Sequence, residues 1–201
     1  MRTRIVVFAA LLAAASGAVP ATAQEVTVSQ PDGKALIPAG HGTLKQDAFT
    51  VQLRSGPLLI KVTPLAEMVI RTAAPDTYDR LHALAENRRK DAESRTGAME
   101  PQLFLVSFFS YQADVPFQPE DLQIVQQGRP MRAAILPITP GWGAQLLKQQ
   151  DLQTAIYAFA DPIDYEIPLI VQYGSVQSES WTQIIQRLQT ERNKIIARAS
   201  Q

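Results

Sequence analysis

Acid-base and metal chemistry draw first on histidine and cysteine, and this chain of 201 residues carries two histidines and no cysteine. Cysteine catalysis and thiolate metal sites are therefore excluded. His41 stands between Gly40 and Gly42 in a stretch dense in backbone breakers, and His82 stands on the border of a helical pattern far along the chain. A site of two histidines and one carboxylate would need both of them, yet they share no motif, so no metal and no cofactor is expected. No serine lies in a Gly-x-Ser-x-Gly elbow, and no glycine pattern leads from a strand into a helix around a phosphate. An enzyme is the third reading, after two non-catalytic ones.

The carboxylates Asp161, Asp164 and Glu166 are close enough in sequence to join a calcium cage. Calcium takes six to eight oxygens, and Pro162, Ile163 and Tyr165 between them do not follow a calcium-loop spacing. The plainer expectation is a turn in which Asp161 and Asp164 bond nearby backbone amides. Trp142, between Gly141 and Gly143 in a long loop, offers a broad apolar face that either anchors a partner or folds back as a plug over the domain. Arg187, Lys194 and Arg198 line one flank of a C-terminal helical pattern and are the remaining candidates for contact with an acidic partner or anionic lipid. A solvated helix face accounts for the same three charges. Arg88-Arg89-Lys90 is balanced by Asp91 and Glu93 and reads as solvated surface.

These candidates sit on elements that the pattern of residues predicts. Residues 1–23 have the form of a secretory signal: Arg2 and Arg4, an apolar run over 5–15, then Ala21-Thr22-Ala23 before the cut. The run is too short to span a bilayer, no cysteine follows it for lipid attachment, and no later segment is apolar enough to hold the chain in a membrane. The product is expected to be soluble and exported, periplasmic or extracellular. Removing Arg2 and Arg4 from 19 basic residues leaves 17 against 19 acidic ones, which disfavours a nucleic-acid partner. Without disulfides the domain must rest on apolar burial, which 46% hydrophobic residues make feasible.

Residues 24–42 contain Pro31-Asp32-Gly33, Pro38, Gly40 and Gly42 and are expected to form a flexible N-terminal arm. Phe49, Val51 and Leu53 then alternate with polar residues as a half-buried strand does. Residues 58–63 and 68–71 read as two further strands, or one bent at Pro64. A helix over about 75–94 begins at Pro75-Asp76, with Tyr78, Leu81, Leu84 and Ala85 on one side and with Glu86 to Lys90 and Arg89 to Glu93 at ion-pair spacing. The run 103–111 is apolar on both faces, so it should be a central strand covered twice, once by a second sheet and once by that helix. Shorter strands follow over 122–125, 131–136, 154–159 and 169–173. Ser178 or Ser180 starts an amphipathic helix over about 180–198 whose stripe runs through Trp181, Ile184, Ile185, Leu188, Ile195 and Ile196. Arg192 interrupts that stripe.

Together these elements predict a mainly β chain: an antiparallel immunoglobulin-like β-sandwich over 43–176, with an inserted helix and a C-terminal helix over 177–201 docked on it. Phe117-Gln118-Pro119-Glu120-Asp121-Leu122, the turn Gln127-Gly128 and the late strand Tyr157-Ala158-Phe159 resemble the telokin-like immunoglobulin-fold domains of exported bacterial proteins. The resemblance covers residues 104–173. It departs at Leu122, where that family often has phenylalanine, at the inserted Pro140-Gly141-Trp142-Gly143 loop, and in the C-terminal helix. It implies a binding or structural module and transfers no catalytic residue. The expected function is thus a non-catalytic module binding a protein or cell-envelope component. The alternative is an assembly subunit that uses its C-terminal helix.

Overall fold

The computed structural model describes residues 36–140 and 142–200; the expected leader and residues 24–35 of the expected arm lie outside the described residues. In chain order the strands are β1 (Val51–Ser55), β2 (Leu58–Pro64), β3 (Gln102–Ser110), β4 (Val115–Pro116), β5 (Leu122–Gln126), β6 (Arg129–Met131), β7 (Ala134–Pro137), β8 (Leu146–Leu147), β9 (Asp151–Phe159), β10 (Ile170–Tyr173) and β11 (Val176–Ser178). The helices are α1 (Glu67–Ile70), α2 (Pro75–Thr96) and α3 (Trp181–Ala199).

Two main sheets form, ordered β1-β2-β3-β9-β7 and β11-β10-β5-β6, with β4-β8 as a short third pair, and every strand pairing is antiparallel. The arrangement is consistent with a β-sandwich. Phe108 of β3 packs on Phe117, Trp142 and Tyr173 of β10, so apolar residues of the two sheets meet in one core. The β5-β6 hairpin turns through Gln127 and Gly128, both with positive φ (52° and 76°), the conformation a two-residue hairpin of matching twist requires.

The central strand is β3, between β2 and β9, as its two apolar faces predict. Phe104, Val106 and Phe108 face the second sheet, while Leu103 and Leu105 are buried on the outer face. α2 runs beside β7 and β9 on that side, burying Leu81, Ala85 and Ala92. Its cover is partial, since Phe109 at the far end of β3 remains half-exposed. Gly97, at φ +73°, closes α2 by donating its amide to Glu93.

Several expectations need correction. Residues 68–71 are the helical turn α1 and its cap, not a strand, because pairing with β3 ends at the Leu65 amide, which donates to the Leu103 carbonyl, and Arg71 donates its amide back to Glu67. The single strand over 131–136 is two, β6 and β7, which belong to different sheets. The ion pairs on α2 are Glu86 with Arg89 and Arg88 with Asp91, at three-residue spacing rather than four. Asp76 and Ser180 make no side-chain cap; Ala74 and Ser180 precede their helices without one.

Residues 36–42, which breaker density assigns to a flexible arm, lie against the domain. Ile37 is buried, and a Cβ on Gly42 would fall 2.3 Å from the carbonyl carbon and oxygen of Thr72. Leu44 bridges Ala73 in parallel, donating to the Thr72 carbonyl and accepting from the Ala74 amide. α3 is taken up by its own domain: Trp181, Ile184, Ile185, Leu188 and Ile195 are buried, and of the predicted stripe Ile196 alone is exposed. Arg192 lays its stem in that contact and bonds Glu166 Oε1 (2.9 Å) and the Met68 carbonyl (3.2 Å) at the rim.

Candidate functional site

The candidate contact residues from sequence are mostly committed to internal bonds. Trp142 is a plug: 9% exposed, with its ring edge-on to Phe108 and Phe117 at centroid distances of 5.8 and 5.5 Å. Aromatic edges carry positive charge and faces negative, so this packing adds to simple burial. Arg187 donates to the Ala48 carbonyl, and Arg198 donates to the His41 carbonyl (2.8 Å) and to Glu191 Oε1 (3.0 Å). Lys194 lies 3.9 Å from Glu191 Oε2 and is more than half exposed. The basic flank of α3 thus serves mainly to fasten the chain before β1.

Glu191, which the sequence reading passed over, is the acid at the centre of that fastening. It is 3% exposed, and its Oε1 accepts from the Thr43 amide (3.1 Å) and hydroxyl (2.8 Å) as well as from Arg198. Burial alone would push its pKa up, but the Thr43 bonds and Arg198 prevail and hold it below the ordinary carboxylate value. Its place in an apolar helical stripe between Leu188 and Ile195 was the only signal in the sequence.

The other expected groups also find separate partners. Asp164 Oδ1 accepts from the Glu166 amide (2.8 Å), the side-chain turn anticipated for it. Asp161 pairs with Arg129 (3.0 Å) and Glu166 with Arg192. His41 and His82 are not brought to one site. Glu67 on α1 holds His82 Nδ1 at 2.6 Å from one oxygen and accepts from Arg71 Nε at 2.6 Å on the other, with Tyr78 stacked on His82. Burial first, and then the Glu67 carboxylate, push the Tyr78 phenol above its ordinary value. Held between Arg71 and His82, the Glu67 carboxylate fixes the orientation of both side chains.

One wall of this cluster opens into a cleft of about 500 Å³, in the size range of ligand sites. It lies at the Gln102 end of the five-stranded sheet, where β3 begins and β9 ends. Buried Leu65, Met68, Ala85, Leu103, Ile163 and Tyr165 make an apolar floor. Glu67, Arg89 and Glu100 provide both signs of charge around it, and Leu36 and Met99 stand among its lining residues. Met99 is 90% exposed. A long thioether left in water beside an apolar floor is suited to adapting to a contact. No sequence period marks this site, because its residues come from five separate segments.

A second apolar surface lies at the other end of the same sheet. Leu59, Phe109 and Leu152 fall in one cross-strand row on the outer face beyond α2, with Phe109 edge-on to Tyr111 at 4.7 Å. Tyr111 and Leu152 are 64% and 50% exposed. Comparison with family models, with curated proteins and with solved structures finds no match. Among the described residues, no helix is long and apolar enough to cross a membrane.

Proposed function

We propose that this chain is an exported, non-catalytic immunoglobulin-like module that binds a partner polypeptide of the cell envelope, taking an apolar segment of it into the cleft at the Gln102 end of the sheet. The observation that carries the reading is Met99, almost fully exposed beside a buried apolar floor in a cleft with both signs of charge on its walls. The leader pattern supports export. Of the residues that carry the telokin-like resemblance, Phe117 and Pro119 are buried, Tyr157 donates to the Pro119 carbonyl (2.8 Å), and the Gln118 amide donates to the Tyr173 hydroxyl (2.8 Å). The assembly-subunit reading has less to stand on, since the stripe of α3 is consumed within its own domain.

The test is selection of a displayed random-peptide library on the intact protein, followed by titration of the selected peptides. Peptides with apolar anchors that lose at least tenfold in affinity to Met99→Glu, and keep it with Tyr111→Ser, are the expected outcome. Peptides indifferent to Met99→Glu would move the site elsewhere, and failure of any sequence to enrich would end the reading.

A further inference from the structure

The backbone from Leu36 to Leu44 joins the cleft to Glu191, and polar bonds hold most of it. At the cleft end, Leu36 is a lining residue and the next carbonyl, Ile37, accepts from Arg71 Nη1 (3.0 Å). Arg71 also bonds Glu67, itself a lining residue. At the far end Thr43 gives two bonds to Glu191 Oε1, and Arg198 links that same oxygen to the His41 carbonyl. Between the ends, Gly40 and His41 are exposed and Pro38 and Ala39 half-exposed; buried positions are confined to Ile37 and Gly42. The groups facing the carboxylate are Arg198 and Lys194 from α3 and Thr43 from the strap, with Arg187 along the same groove.

We propose that residues 36–44 are a gate on the cleft, latched by the Glu191 carboxylate, that opens as a unit while both sheets stay folded. Segments with little apolar burial and many polar anchors open at lower free energy than the core. Neutralising Glu191 removes the charge that strengthens the bonds from Thr43 and Arg198, weakening the latch and freeing Leu36 to swing from the cleft wall. The proposal builds on the cleft as the binding site, but its readouts do not need a partner.

Hydrogen exchange on the full chain, wild type against Glu191→Gln, reads the latch. The amides of Leu44 and Ala74, which tie the strap to residues 72–74, should exchange about tenfold faster in the variant, with Val106 and Ile156 unchanged. Because the chain has no cysteine, Leu65→Cys on the cleft floor is a single reporter, and its thiol-labelling rate should rise by a similar factor when Glu191→Gln is added. Unchanged Leu44 and Ala74 rates, or equal acceleration of Val106 and Ile156, would overturn the latch. Selective exchange with unchanged labelling would overturn the gate. If Leu65→Cys fails to fold, Ala85→Cys, at another buried lining residue of the cleft, replaces it as the single reporter. A peptide-selection failure would count against the cleft reading and leave these results standing.

Discussion

The ring of Trp142 meets that of Phe108 edge to face, with centroids 5.8 Å apart, tying the loop after β7 to the middle of the central strand. Trp142→Ala should therefore cost stability, by about 3–5 kcal/mol for a large buried aromatic. Chemical denaturation checks this. A loss below 1 kcal/mol would show that the ring is not part of the core.

Gly42 and Gly40 differ in what surrounds them. At Gly42 an added Cβ would strike the Thr72 backbone at 2.3 Å, whereas at Gly40 it meets nothing, and only the positive φ of 80° opposes it. Gly42→Ala should lower the melting temperature by several degrees more than Gly40→Ala, whose cost is about 1 kcal/mol. Equal effects would mean that residues 41–44 do not rest on Thr72.

Glu191 gives the chain an acid-sensitive element. Its pKa is lower in the folded state than in the unfolded chain, so its contribution is complete above the ordinary carboxylate value and is lost as pH falls through the folded one. Urea unfolding from pH 7 downward should show a loss of stability that Glu191→Gln reduces. An identical slope in the variant would assign that acid sensitivity to other carboxylates.

Leu152, half exposed in its outer-face row, has little packing to lose. Leu152→Thr should leave stability within about 0.5 kcal/mol, since threonine suits an exposed strand position. A larger loss measured by thermal unfolding would show that the row is covered.

The expected leader makes a prediction that depends on sequence alone. Produced with residues 1–23 in a bacterial cell, the chain should be recovered outside the cytoplasm with Gln24 at its N-terminus. Intact Met1 on a cytoplasmic product, read by mass spectrometry, would refute export.

Truncation to Thr43 separates two kinds of information. From breaker residues alone, removal of everything before Thr43 should leave the melting temperature nearly unchanged. Ile37 burial, the wedged Gly42 and the Arg198 bond to His41 instead predict a drop of several degrees.

Alternation in β1, the doubly apolar β3, the helical periods of α2 and α3 and the Gln127-Gly128 hairpin were legible from residue order, because each depends on neighbours within one turn or one strand. The docking of α3 followed from its apolar stripe, whereas the rim position of Arg192 needed its tertiary contacts with Glu166 and Met68. What residue order could not show was pairing between distant segments. The split of 131–136 into β6 and β7 depends on which sheet each half joins, and α1 replaces a strand because its backbone closes on itself after β2 ends. Glu191 reads as a flaw in an apolar stripe until Thr43 and Arg198 converge on it. The cleft likewise exists only where α1, α2 and the ends of β3 and β9 come together, since a concave surface is a property of packed segments and no local periodicity encodes it.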